Sequence, residues 1–309
     1  RHQHNDARRQ RQMCIRDSRE TFQKEIVQRL VDGYQDGITP LPCSQCNRSV
    51  KFGPMLEWAA QERNLPRIAT GHYARIRHGG NRGRHQLLRG LDSRKDQSYF
   101  LYDLPQEALG RIVFPLGELT KADTRIEAGR HGLRTAEKPE SQDLCLADHH
   151  GSMRAFLDTY LPPRQGEIVL KDGTVVGEHD GIEHFTIGQR KGLGVAWQEP
   201  LHVVKLDPAM NRVVVAPRAE AGRHEAVVGA INWVSIDPPQ QAMNLEVQVR
   251  YRSAPVTARL TPLPATDDDH QRHRPHRCHL VFNEDQFSIA PGQAAVFYSD
   301  DTELGLSLI

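Results

Sequence analysis

The sequence predicts an α/β domain followed by a half built mainly from β-strands, and three observations carry that expectation. Up to about residue 150, amphipathic helical patterns flank a short apolar run that ends in Gly71-His72, and the C-terminal edge of a strand is where α/β sheets place ligands. From Gly166 onward, short strands alternate with turn residues, which fits a small barrel or sandwich. The length, 309 residues, allows two or three domains.

The elements follow in order. Residues 1–18 lack an initiator Met, are crowded with Arg, His and Gln, and show no periodic apolar face; the segment is expected to be non-native, which sets Cys14 aside. From Glu20, the residues Phe22, Ile26, Val27, Leu30 and Val31 fall at helical spacing, with Gly33 or Gly37 as the stop. Thr39-Pro40-Leu41-Pro42 then reads as a rigid loop that delivers Cys43 and Cys46. A second helix fits residues 52–62 through Met55, Leu56, Trp58 and Ala59, and residues 66–72 read as a buried strand ending in a turn. Thr120 and Asp123 make a capping box that opens a helix towards Gly132, with Ile126 and Ala128 among solvent-facing charges. Residues 166–174 form a hairpin turning at Asp172-Gly173. Further strands are expected at 203–206, 212–215, 246–251, 256–260, 279–282 and 294–298. The interruption at 261–279, with three consecutive Asp residues and His270, His273, His276 and His279, reads as a solvated insertion in preference to a metal site or an RNA-facing patch.

Composition narrows the class. Apolar residues are 38% and charged residues 26%, as in ordinary globular chains, and no run of about 18 apolar residues is present to cross a membrane. The start shows no charged-then-apolar leader, and the cytoplasm is the expected compartment. With 40 basic against 39 acidic residues, any nucleic-acid contact has to come from local patches. Five cysteines, at 14, 43, 46, 145 and 278, are too sparse and too odd in number for a secreted disulfide framework.

Two cysteine segments carry chemistry. Cys43-Ser44-Gln45-Cys46 reads as half a zinc site, a redox dithiol or a loop with one reactive thiol. The lack of a second CxxC and the preceding proline-rich loop demote the first two without removing them. Cys145 follows Ser141-Gln142-Asp143-Leu144, polar flanks that favour an accessible loop thiol over a buried one.

At this point the chain resembles a family. Thr39-Pro40-Leu41-Pro42-Cys43-Ser44-Gln45-Cys46-Asn47-Arg48 with Lys51-Phe52 resembles the first cysteine loop of the bacterial tRNA-specific 2-thiouridylases. Ala69-Thr70-Gly71-His72-Tyr73-Ala74-Arg75 is similar to the nucleotide-side turn, and Lys95-Asp96-Gln97-Ser98-Tyr99-Phe100-Leu101 to the tRNA-contacting segment. Phe114-Pro115-Leu116-Gly117, Ser141-Gln142-Asp143-Leu144-Cys145, Phe185-Thr186-Ile187-Gly188-Gln189-Arg190-Lys191-Gly192 and Pro291-Gly292-Gln293-Ala294 continue the match in order from about Arg19 to Ile309.

The resemblance implies an incomplete Rossmann-like catalytic domain of the PP-loop ATPase type at 19–150, a small central tRNA-binding domain at 151–219 and a C-terminal β-barrel at 220–309. It also implies 2-thiolation of the wobble uridine of tRNA. ATP, with Mg as its counterion, would adenylate the base. A persulfide on Cys145, loaded by a donor of the cysteine desulfurase or sulfur-relay type, would supply the sulfur, and Cys46 would act as nucleophile, with a disulfide between the two as sulfur leaves. Arg48 and Lys51, by proximity in sequence, are expected to lower the Cys46 pKa. By the same resemblance Gly71 lies at the nucleotide. Leu41, Pro42 and Cys43 face the target base, and His72, Lys95, Asp96, Gln97, Arg250, Tyr251 and Gln293 contact tRNA. Many members carry Asn-Pro-Asp where Leu41-Pro42-Cys43 stands, so Cys43 has no inherited role.

The family's Ser-Gly-Gly-Val-Asp-Ser-Ser phosphate loop does not occur in this sequence. The chain therefore reads as lacking about the first two or three βα units and is expected not to adenylate tRNA as written. A related amide ligase of the same nucleotide-binding architecture, and a noncatalytic tRNA-binding fragment, are the competing readings.

Overall fold

The computed structural model describes residues 18–79, 83–133, 136–137, 144–264, 276–287 and 289–308. A helix entered at residue 18 is π-helical over Gln23–Gln28 and α-helical over Arg29–Gln35 (α1). It passes through Gly33 and stops before Gly37, whose φ of +68° closes the turn. Val27, Leu30 and Val31 bury against Phe156 and Leu157 of α7 (Met153–Leu157), so the predicted apolar face is a true packing face. α2 (Pro42–Cys46) continues as a π-helical stretch over Asn47–Lys51, and α3 (Pro54–Arg63) follows. The expected loop runs to Leu41 and delivers the CxxC into a helix: Pro42 sits at the first turn, where its fixed φ and missing N–H suit a helix start. In α3 only Leu56 and Ala59 are buried; Met55 and Trp58 stay at the surface.

The parallel sheet is short. β1 (Ile68–Ala69) pairs with β4 (Ile112–Val113), and Ala69 and Val113 are both exposed, which corrects the expectation of a buried strand. Between them, β2 (Ala74–Arg77) and β3 (Gln86–Arg89) form an antiparallel hairpin, followed by α4 (Gln106–Leu109). α5 (Lys121–Arg130) opens on the predicted capping box, and Asp123 is held below the usual carboxylate range by its Thr120 hydrogen bonds. α6 (Cys145–His150) precedes α7.

A four-stranded sheet of order β6-β5-β8-β7 forms the central unit from β5 (Gly166–Leu170), β6 (Val175–His179), β7 (Leu201–Asp207) and β8 (Arg212–Pro217). The Asp172-Gly173 turn is present, with Gly173 at φ +91°. The remaining strands are β9 (Arg223–Asn232), β10 (Met243–Gln248), β11 (Val256–Leu263), β12 (Arg277–Gln286), β13 (Ala294–Ser299) and β14 (Thr302–Leu308). They run β13-β10-β11-β12-β9-β14, and β13 pairs again with β14, so the ring closes and leaves no barrel edge. Leu245, Val247, Leu260, Leu280, Phe282 and Phe297 fill it. β10 stops three residues before the predicted end at Tyr251, because Ser253 turns back to bond the Arg250 carbonyl through its N–H and its hydroxyl. The β2–β3 hairpin joins this sheet through Thr302↔Leu88 and Glu303↔Leu87, so the first domain and the barrel share one hydrogen-bonded surface.

Candidate functional site

Three side chains pin the cysteine helix. Ser44 Oγ donates to the Leu41 carbonyl at 2.9 Å and lies 2.9 Å from the Tyr102 hydroxyl. Asn47 donates to the Phe100 carbonyl at 2.8 Å and accepts from Lys51 Nζ at 3.1 Å. Cys43 and Cys46, three residues apart on a helix, share a face. Cys145, about a hundred residues away in sequence, is the exposed first residue of α6. Its neighbour Leu146 packs on the same apolar cluster as Val27, Leu30 and Val31 of α1, the helix that leads into the cysteine segment. That shared cluster seats the start of α6 against the helix that leads into the cysteine segment.

The electrostatics agree with this placement. Burial pushes the Cys43 thiol up to about 11; Cys145 raises it further, Lys51 opposes, and Cys46 adds a smaller increase. Cys46 is also raised, first by burial; Lys51 lowers it and Cys145 raises it. The expected depression of the Cys46 pKa is therefore half right. Lys51 acts in the predicted direction but burial outweighs it, and Arg48 is drawn away into an ion pair with Asp103. The four described cysteines, 43, 46, 145 and 278, are all free thiols, and Cys278 lies in the barrel core.

Lys51 also faces His72. That ring sits 5.7 Å from each of Phe52 and Phe114, and its Nδ1 is 2.8 Å from Thr70 Oγ1. Burial first, then Lys51, lowers its pKa to about 4, so His72 is neutral at pH 7. Between about 4 and 6.5 the unfolded chain binds a proton that the folded chain refuses, so this residue makes stability rise with pH across that window. Urea midpoints at pH 7 and pH 5 are expected to fall further for the wild type than for His72→Gln; equal losses would contradict the burial of a neutral ring.

The other sequence-derived residues divide into three groups. Leu41 packs with Phe100 and Tyr251 on the Tyr99–Tyr298 cluster, beside the buried Pro42. Arg250 is exposed, and the Tyr251 ring lies 4.4 Å from Phe100 and 5.8 Å from Tyr99. Gly71 is exposed just after β1, where an added Cβ would meet only Leu116, at 3.5 Å. By contrast, Asp96 accepts from the Gly90 and Ser98 amides and the Ser98 hydroxyl, and Gln97 accepts from the Tyr73 amide. Asp96 closes its own turn, Gln97 ties that turn to Tyr73, and half-buried Lys95 stands beside them. Gln293 is 9% exposed and donates to the Thr39 carbonyl at 2.8 Å. Sequence reasoning missed Ser44, Asn47 and Tyr102 as the supports of the helix; Ser44 and Asn47 carry a signal, polar character within or beside a motif that must be held still, whereas Tyr102, 58 residues from Ser44, carries none.

Three family profiles cover the chain. The tRNA methyl transferase HUP domain matches residues 11–149, the tRNA methyl transferase PRC-barrel domain 154–217, and the aminomethyltransferase β-barrel domain 223–309. A tRNA-specific 2-thiouridylase from Synechococcus sp. (strain CC9902) is 97% identical over 293 residues, 95% of this chain and 75% of the relative. The chain belongs to the tRNA-specific 2-thiouridylase family. Enzymes of that name from Parasynechococcus marenigrum (strain WH8102), 83% identical over 95% of this chain and 74% of the relative, and from Prochlorococcus marinus (strain MIT 9303), 70% identical over 95% and 74%, match it as well. The 2-thiouridylase fold is an α/β HUP domain, a PRC-barrel-like unit and a β-barrel, as the sequence predicted. Among the described residues no helix is long and apolar enough to cross a membrane, and no three His, Cys, Asp or Glu side chains converge to hold a metal. His270 and His273 lie outside those residues; His279 pairs with Glu225 at 2.9 Å across β12 and β9.

Proposed function

We propose that this chain transfers sulfur to the wobble uridine of tRNA, with Cys145 as sulfur carrier and Cys46 as the thiol that releases it. The observation that supports this is that exposed Cys145 acts electrostatically on half-buried Cys43 and Cys46, which Lys51 also faces, although sequence separates Cys145 widely from them. A cysteine desulfurase or sulfur-relay protein would leave a persulfide on accessible Cys145. When that terminal sulfur has displaced the oxygen from the base carbon, which departs together with the leaving group it carries, the Cys46 thiolate attacks Cys145 Sγ. The bond from Sγ to the outer sulfur breaks, its electron pair stays on the transferred sulfur, and a Cys46–Cys145 disulfide forms. A dithiol reductant restores both thiols. Lys51 stabilises the attacking thiolate against the cost of burial.

ATP, when bound, supplies the good leaving group on the base. Among the described residues, Gly71 at the end of β1 fits a nucleotide-facing turn, but no glycine-rich strand-to-helix loop stands there to cradle a triphosphate. We take 19–150 as the catalytic domain, 151–219 as a central RNA-binding domain and 220–309 as the barrel, working in the cytoplasm where tRNA and sulfur donors meet.

The RNA half of this reading rests on Arg250 and Tyr251, an exposed cation beside a partly exposed ring. Arg250→Ala is expected to weaken tRNA binding about three- to tenfold and to reduce the slope of log K against log salt by about one. An unchanged affinity and slope, measured by fluorescence anisotropy over a salt series, would remove Arg250 from the interface. Incubation with a persulfide donor should add one sulfur atom to the peptide bearing Cys145; a chain that takes up none there would defeat the sulfur-transfer reading.

A further inference from the structure

The residues that lead into the cysteine helix are held by the far end of the chain. Thr39 N–H donates to the Pro291 carbonyl at 2.9 Å, and Gln293 Nε2 donates to the Thr39 carbonyl at 2.8 Å, so both backbone groups of Thr39 are satisfied by one barrel turn. Between those two contacts Gly292, at φ +87°, lies flat against the loop: a Cβ there would stand 2.2 Å from Ile38 Cγ2 and 3.0 Å from the Thr39 carbonyl oxygen. The turn is itself closed by Gln293 N–H to the Ala290 carbonyl at 3.1 Å. Ala290 is buried in the core of the central unit, and Ala294 begins barrel strand β13. On the other side of the loop, Pro40 fills the space a side chain on Gly33 of α1 would need, with Cγ 2.3 Å from the ideal Cβ position.

Thr39 is therefore fixed where all three domains meet, and only Pro40 and Leu41 separate it from Pro42, the first residue of α2. Two prolines in so short a span leave little conformational slack. Whatever holds Thr39 also sets where Cys43 and Cys46 sit.

We propose that Gln293 is a positioning residue for the cysteine helix: its amide clamps Thr39 and so fixes the seat of Cys43 and Cys46. This deepens the sulfur-transfer reading and rests on it for its significance, but the clamp is measurable without turnover. It differs from the role the family resemblance implies for Gln293, a direct tRNA contact. Its side chain is almost wholly buried, and its amide already faces the protein's own backbone.

The test is the alkylation of each cysteine by iodoacetamide, followed by peptide mass, together with tRNA binding. Gln293→Met keeps the length of the side chain and removes the donor. It should speed alkylation of Cys43 and Cys46 about three- to tenfold, the factor one net hydrogen bond supplies, while the rate at Cys145 stays unchanged. Gln293→Glu provides a pH signature. At pH 7.5 its carboxylate has no proton to give the Thr39 carbonyl and should behave like the Met variant. At pH 5 a protonated fraction can donate, and its alkylation rate relative to wild type at that pH should fall back towards unity. Unchanged Cys43 reactivity with weakened tRNA binding would make Gln293 an RNA contact and overturn the proposal. Equal acceleration of all three thiols would show general loosening and overturn it too. If sulfur never loads on Cys145 yet the clamp signature appears, the sulfur-transfer reading fails and the clamp stands.

Discussion

Replacing Cys46 by serine is expected to leave sulfur loading on Cys145 intact while stopping its discharge. In the wild type, the loaded chain has an internal route even without tRNA: the Cys46 thiolate attacks Cys145 Sγ, hydrogen sulfide leaves with the outer sulfur, and a disulfide joins the two residues. Cys46 is half-buried and Lys51 supports its thiolate, so attack is intramolecular once the two sulfurs meet. Intramolecular reactions gain orders of magnitude over external thiols, and the persulfide of Cys46→Ser should outlive that of the wild type by more than about a hundredfold. Cys145→Ser should lose loading as well as release. The double outcome separates carrier from nucleophile, which a simple loss of activity in both variants would not. Sulfide release, timed with a sulfide-reactive dye, reads it directly. Equal persulfide lifetimes in wild type and Cys46→Ser would contradict the assignment. A second signature lies in pH: because burial raises the Cys46 thiol above its ordinary value of 9.0, release should still be accelerating as pH rises past 9.

The largest effect on stability is expected at a residue with no chemical role. Gly117 lies against the start of β2, and a Cβ there would stand 1.9 Å from the Ala74 carbonyl oxygen and 2.8 Å from its carbon. A backbone carbonyl cannot swing aside as a long side chain can, so either the Leu116–Gly117 turn or the strand has to move. Gly117 is held in place by its own N–H to Phe114 and by the Leu91 N–H to its carbonyl, which leaves little room for a shift. Gly117→Ala should cost about 3 kcal/mol or more, at the upper end of overpacking substitutions. The damage should spread to His72 and Tyr73, which immediately precede Ala74. Urea unfolding followed by tryptophan fluorescence measures it, and a loss below about 0.5 kcal/mol would show that the close approach is not real.

Much of this was legible in the sequence, for identifiable reasons. The capping box at Thr120, the Asp172-Gly173 hairpin and the apolar face of α1 are local patterns whose physics lies within a few residues, and each folds as read. The strands β9 and β14 escaped notice because their pairing is set by barrel closure and not by their own alternation; β9 opens with the exposed run Arg223-His224-Glu225. The run at 66–72 reads as buried because a central strand of a full parallel sheet has two neighbours, whereas β1 pairs with β4 alone among the described residues.

The site shows the same division. Cys46 and Cys145 were found by motif, and Lys51 by proximity, but the balance between burial and charge at Cys46 depends on packing that no spacing encodes. Asp96 and Gln97 read as polar surface residues, yet the Asp96 carboxylate closes a turn and the Gln97 oxygen accepts from the Tyr73 amide, 24 residues away. Gln293 sat in an unremarkable Pro-Gly-Gln, and only the tertiary fold brings it to Thr39, 254 residues away.

The pairing of Cys46 with Cys145 is the claim on which the rest depends, and the direct measurement is a disulfide map of the persulfide-loaded chain after its sulfur has been discharged. Digestion without reductant and peptide mass distinguish the three possible links among Cys43, Cys46 and Cys145. The peptides of Cys46 and Cys145 are expected to appear joined, with Cys43 still alkylatable. A link confined to Cys43 and Cys46 within the helix would contradict the account and make the CxxC, not the cross-domain pair, the working unit.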